Sequence, residues 1–248
     1  MNAIKAYYDG ITEVMSRAFT TQESALMAGA QLMCEATLNG HNIFSFGCSH
    51  AGLLALELYY RTGGMMNINP IRAAGLNLDI DPATMTSQME RMAEYGKIIV
   101  DNQPLGEGDV IIIHSVSGRN TVTVDVAMRA REKGAKVIAL TNMEMSMAVS
   151  SRHPSGKRLC ECADVVIDNC GCVGDASVVI EGVPEKVAPT STAVGAALLN
   201  AMVAETVQLI VDKGEIPPIF MSANLDAGDA HNKKMMAQYK EHIFYMGF

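Results

Sequence analysis

Five short aliphatic runs, "NIFSF", "NINPI", "DVIIIHS", "KVIALT" and "ADVVID", punctuate residues 42–168. A strand that is apolar at nearly every position has no polar face to offer water. It belongs in a sheet covered on both sides, and the helical stretches between the runs supply both the covers and the crossovers that parallel strands require. The second run carries Pro70, which cannot donate to a ladder and marks an edge or an irregular end.

The flanking segments read as helices. Residues 2–18 set Ile4, Tyr7, Tyr8, Ile11, Val14, Met15 and Ala18 at three-and-four spacing, and "TQESALMAGAQLMCEATLNG" repeats the pattern until Asn39-Gly40 stops it. Further helices are expected from about His50 to Arg61, over "TVTVDVAMRAREKG", and over the apolar "STAVGAALLNAMVAETVQLIVDKG", which must lie in a core or a subunit interface. A polar helix follows from Ala230 to Tyr245, while residues 76–96 read as a loop with one short helix. No repeat, low-complexity segment or linker divides the chain. It reads as one domain, 1–248, with a helical pair over about 2–39, an α/β core over about 42–213 and C-terminal helices over about 217–245.

A chain of 248 residues that is 49% hydrophobic can bury a sizeable core. Its formal charge of −8, with no run of Lys or Arg longer than two, offers no footprint for nucleic acid or anionic lipid. No apolar run approaches the roughly 18 to 20 residues that span a bilayer, and "MNAIKAYYDG" lacks a secretory h-region, so a cytoplasmic protein is expected. The six cysteines should then be reduced. "CEC" and "CGC" are tighter than the usual zinc spacing and read as half-buried thiols beside a strand, so no metal is expected.

Ligands of open parallel sheets bind at the carboxyl ends of the strands, near the point where strand order reverses. Two strand ends carry suitable chemistry, "GCSHA" after the first strand and "SVSGRN" after the third. In the second, Ser115 and Ser117 offer hydroxyls, Gly118 offers a flexible backbone, and Asn120 stands where it would cap the helix starting at Thr121. Taken alone this is an ordinary helix cap, but N–H groups converging at a helix start also suit an anion such as phosphate. Neither turn is a G-x-G-x-x-G or a Walker motif, which disfavours a nucleotide cofactor.

"FGCSH" and "SVSGRN", with the two leading helices and the later "APTSTAVGAALLNAMVAE", resemble the sugar isomerase (SIS) domain family of phosphosugar isomerases and phosphosugar-binding proteins. "RHPSGKRL", "ADVVIDNCG", "KVAPTSTAVGAALLNA" and "SANLDAGDAHN" resemble, more narrowly, a group of bacterial proteins built on one SIS domain. The resemblance implies a flavodoxin-like three-layer α/β/α sandwich with a five-stranded parallel sheet of order 2-1-3-4-5, assembled as a dimer or tetramer with sites near the subunit interface. It implies that Ser115, Ser117 and Asn120 hold phosphate oxygens with help from Ser49, and that Thr190, Ser191 and Thr192 line the site. One departure stands out. Where the family often has Gly-x-Gly-x-Ser, this chain has Ser49 in place of the second glycine and Ala51 in place of the serine.

Aldose–ketose isomerisation needs a carboxylate near C2 and a second group to open the ring and move the hydroxyl proton. Related isomerases and etherases place a glutamate ten residues past the turn serine, which from Ser49 reaches Tyr59. Glu57 lies two residues earlier, roughly 200° away around a helix. It is still the first candidate, because "LLALELYY" isolates one carboxylate among apolar residues; a salt bridge to Arg61 at i+4 is the competing reading. His231 in "GDAHN" is the candidate for ring opening, delivered across a subunit interface, with His50 beside the first turn as a further acid–base group and Lys186 as a contact for a substrate carboxylate or hydroxyl. The basic loop "SRHPSGKR" either closes over a charged sugar or pairs with nearby acids. An isomerase is the first expectation; a phosphosugar sensor or a sugar-phosphate lyase or etherase on the same fold are the alternatives.

Overall fold

Asn2 starts the first helix by accepting the Lys5 amide on its side-chain oxygen at 3.1 Å. The structure is a computed structural model that describes residues 2–246. Helices α1 (Ala3–Thr21) and α2 (Glu23–Leu38) lead into β1 (Ile43–Gly47), a 3-10 turn over Ser49–Ala51, α3 (Gly52–Glu57) and β2 (Ile68–Pro70). Then come α4 (Met85–Met89), α5 (Tyr95–Asp101), β3 (Val110–His114), α6 (Thr121–Glu132), β4 (Lys136–Thr141), α7 (Met143–Ala148) and β5 (Val165–Asp168). A hairpin of β6 (Ala176–Val178) and β7 (Val187–Pro189) precedes α8 (Ser191–Asp212) and α9 (Gly228–Gln238).

The main sheet is parallel and ordered β2-β1-β3-β4-β5, the architecture expected. The period-two rule of strands divides its aliphatic residues between two cores. Ile43, Val110, Ile112, Ile138 and Leu140 pack under α1, α2 and α8, while Phe44, Phe46, Ile111, Ile113, Val137 and Ala139 pack under α5 and α6. The chain leaves β1 toward β2 on one side and returns to β3 on the other, so strand order reverses between β1 and β3 and opens a crevice at their carboxyl ends.

The expectation that no stretch is long and apolar enough to span a bilayer needs correcting: α8 is both. Its composition has a core explanation, since Val194, Leu198, Leu199, Met202 and Ile210 are buried in the cluster shared with α2 and the sheet. At the β2 edge, Asn69 donates from Nδ2 to His242 O at 3.0 Å and accepts Phe244 N–H at 2.8 Å, which ties the C-terminal segment over the exposed ladder.

Tertiary contacts set the boundaries that periodicity misplaces. Helix α3 ends at Glu57 rather than Arg61, because Tyr60 takes a left-handed φ of 48° and the Tyr59 and Tyr60 rings turn onto Tyr245 and Phe220. The following backbone pairs with residues 218–220 instead of continuing the helix, with Phe220 N donating to Gly64 O at 3.0 Å. The irregular segment 76–96 holds α4 and the start of α5, α7 and the β6–β7 hairpin are additions, and α9 runs from Gly228 to Gln238 before a 3-10 turn at Lys240–His242.

Candidate functional site

Gly47 at the end of β1 lies opposite His114 at the end of β3, so the two following turns start level with each other. A Cβ on Gly47 would stand 2.5 Å from Ala51 O and 2.8 Å from Gly52 N, because the 3-10 turn folds back directly over this position. Ser49 holds φ at +55°, the left-handed region that glycine favours, and its amide donates to Leu76 O at 2.7 Å. The departure from Gly-x-Gly-x-Ser is therefore one of side chain and not of backbone path.

The β3 turn is built from behind. Thr141 Oγ1 donates to Ser115 O at 2.7 Å and to Val116 O at 3.1 Å, while Gly118 N donates to Ser115 Oγ at 3.2 Å across a φ of +59°. His114 joins the two turns, its Nδ1 donating to Ala51 O at 3.2 Å, while its buried Nε2 has no partner among the described residues. Burial pushes this imidazole from the ordinary 6.5 down to about 4, so it is neutral in the folded protein.

A pH dependence follows. Between pH 6.5 and about 4 the unfolded chain protonates His114 and the folded chain does not, so stability is fully present above 6.5 and falls as the pH drops through this window. At roughly 1.4 kcal/mol per pH unit the loss approaches about 3 kcal/mol. Melting curves of wild type and His114→Asn across pH 7 to 4 should diverge, with the variant showing the shallower decline; parallel curves would show that His114 does not control it.

The turns enclose a cavity of about 300 Å³ lined by Ser49, His50, Ser115, Ser117 and Asn120. Two residues without a signal in the sequence join them, Glu90 and Asp175. Glu90 closes α4, and its carbonyl accepts Val122 N–H at 3.1 Å, which docks the irregular segment on the first turn of α6. Burial pushes its carboxyl above the usual carboxylate range, partly opposed by a hydrogen bond from Asn120 and by the charges of Arg91 and Arg152. Asn120 occupies the N-cap position of α6, but its side chain does not cap, contrary to expectation; its Oδ1 instead accepts Arg152 Nη1 at 2.7 Å. Beneath the cavity, burial raises the Cys48 thiol to about 12, which leaves it protonated and unreactive.

Asp175 accounts for the "PTST" stretch. Its Oδ1 accepts Thr190 N–H at 3.1 Å and Ser191 N–H at 2.8 Å, and its Oδ2 accepts Ser191 Oγ at 2.5 Å, so one carboxylate caps α8. Thr190 and Ser191 are thus buried and turned onto Asp175, one step removed from the cavity, and Thr192 and the exposed Lys186 do not line it. Glu57 accepts Asn200 Nδ2 at 3.0 Å and pairs with Arg61, and His231 directs Nε2 at Ile219 O at 2.9 Å. Neither lines the cavity of its own chain.

The basic loop pairs with nearby acids rather than standing free as a lid, Arg158 Nε meeting Glu161 Oε2 at 3.2 Å. His153 Nε2 meets the fully buried Asp125 Oδ1 on α6 at 3.0 Å, Arg152 N donates to Arg119 O at 2.8 Å, and Leu159 N donates to Gly118 O at 2.8 Å. Of the paired cysteines, Cys162 is buried in the core, while Cys160, Cys170 and Cys172 are half-buried around β5, with Cys172 Sγ donating to Ala176 O at 3.1 Å.

Residues 6–142 match the SIS domain family. A UPF0309 protein of Shouchella clausii is 43% identical over 246 residues, spanning 99% of this chain and 100% of its own length. Among solved structures, a phosphoheptose isomerase from Neisseria gonorrhoeae superposes with a TM-score of 0.55 at 16% identity, over 83% of this chain and 97% of the other. The Vibrio vulnificus NanR protein complexed with ManNAc-6P superposes with a TM-score of 0.51 at 12% identity, over 98% of this chain and 70% of that one. At those identities the two structures speak to fold alone.

Proposed function

Because the chain belongs to the SIS domain family, within the UPF0309 group, we propose that it binds a phosphorylated sugar between the β1 and β3 turns and interconverts its aldose and ketose forms. One observation carries the reading: the hydroxyls of Ser49, Ser115 and Ser117 share a cavity with a half-buried carboxylate, Glu90, and an imidazole, His50. The hydroxyls and the start of α6 hold the phosphate. Glu90 takes the proton from C2 and returns it to C1, and His50 moves the proton between the two oxygens. The raised affinity of Glu90 for protons suits a group that must both accept and give one back. A role for Glu57 or His231 requires delivery to the cavity of a neighbouring subunit, which belongs to this proposal together with a homodimer or homotetramer and a cytoplasmic location.

The double substitution Ser115→Ala with Ser117→Ala tests the phosphate turn. A sugar phosphate at about 100 times its Kd should raise the wild-type melting temperature by roughly 5 to 10 °C, from about 2.7 kcal/mol of linkage, and the double variant by close to nothing. A shift that survives both substitutions would remove the turn from the site. Catalysis is read separately, by proton exchange at C2 in deuterated water; binding without exchange would make the protein a sensor.

A further inference from the structure

Five of the arginines, Arg17, Arg61, Arg129, Arg131 and Arg158, each pair with a carboxylate. Arg91, Arg119 and Arg152 form no ion pair within 4.0 Å among the described residues, although the chain has a net charge of −8. None of the three lines the cavity, but each is bonded to or next in sequence to a residue that does. Arg152 donates to Asn120 Oδ1 at 2.7 Å, Arg119 immediately precedes Asn120, and Arg91 immediately follows Glu90.

The surroundings of Arg119 and Arg152 hold them in place without an ion pair. Among the described residues Arg119 Nη2 reaches only the Ser150 hydroxyl, at 3.4 Å, and its buried Nε meets no acceptor, a cost that a native structure tolerates where something else supplies the partner. Arg152 sits on a loop fastened by its own amide to Arg119 O, by Thr121 Oγ1 to its carbonyl at 3.3 Å, and by the His153 contact to Asp125. The charges of Arg119 and Arg91, after burial itself, push the Arg152 guanidinium below its ordinary value, with only Glu90 opposing them. Like charges gathered on a rigid frame make an anion site, and the guanidinium fork matches the oxygens of carboxylate and phosphate.

We propose that Arg91, Arg119 and Arg152 form a second anion subsite beside the serine turn, and that the natural ligand is a sugar phosphate carrying a further oxyanion, a carboxylate or a second phosphate. The proposal rests on the phosphate turn described above. In it the serines hold one phosphate inside the cavity, and the arginines hold the other charged end just beyond Asn120 and Glu90 on its rim. The unsatisfied Arg119 Nε and the excess of positive charge are then resolved together by the ligand.

Titration calorimetry with three ligands separates the two ideas: 6-phosphogluconate, fructose 1,6-bisphosphate and glucose 6-phosphate, against wild type, Arg119→Gln with Arg152→Gln, and Ser115→Ala with Ser117→Ala. The wild type should bind 6-phosphogluconate or the bisphosphate at least about tenfold more tightly than glucose 6-phosphate, one charge-assisted contact being worth that much. The arginine variant should lose this preference while keeping its affinity for glucose 6-phosphate, and the serine variant should lose all three ligands. Whichever ligand gains identifies the oxyanion. Should the arginine variant melt early, Arg91→Gln alone, at an exposed position, must still lower the preference. No preference in the wild type, or equal weakening of all three ligands by the arginine changes, would overturn the second subsite and leave the phosphate turn standing. If none of the three binds the wild type, the phosphate turn falls and the second subsite with it.

Discussion

Glu90→Gln is expected to leave sugar-phosphate binding within about threefold and to slow hydrogen exchange at C2 by roughly 10² to 10⁴. The amide keeps the size of the carboxylate and can still meet Asn120, so the cavity should keep its shape. What it loses is the ability to hold a proton in transit. The pH profile gives an independent readout. Burial displaces the Glu90 carboxyl upward, so the wild-type exchange rate should rise with pH along a limb lying above the ordinary carboxylate range, and the variant should lack that limb. Full exchange in the variant would move the base elsewhere, with Glu57 of an adjoining subunit the next to test.

The sheet and both turns were legible because each is encoded locally. Continuous aliphatic runs force two-sided burial, and a run that ends in Ser-x-Ser-Gly or Gly-Cys-Ser-His announces a strand end with room for a ligand. Glu90 was not legible. It sits in a segment without periodicity, and only its docking on α6 through the Val122 amide aims it at the cavity. Glu57 shows the converse, since an isolated carboxylate in an apolar helix looked mechanistic, and the fold gives it Arg61 and Asn200. Helix α3 stops at that same residue because aromatic contacts with the C-terminal segment, remote in sequence, outweigh helical spacing.

Asp175 lies furthest from sequence reasoning, since its role exists only once the β6–β7 hairpin has folded the chain back onto the start of α8. Asp175→Ala is expected to cost about 4 kcal/mol, because it strands the Ser191 amide and the Ser191 hydroxyl, both on a buried residue, at roughly 1 to 3 kcal/mol each, and leaves the Thr190 amide only the backbone carbonyl of residue 175 at 3.3 Å. For a chain of this size the melting temperature should fall by roughly 8 to 16 °C. Asp175→Asn keeps one acceptor oxygen and removes the charge, so it should recover about half of the loss. The helix end vacated in the alanine variant is also an anion site in its own right. Added sulfate should therefore raise the melting temperature of Asp175→Ala more than that of the wild type. An alanine variant that melts within about 2 °C of wild type would show that the hairpin and helix hold together without the carboxylate, and that Asp175 faces the cavity for another reason.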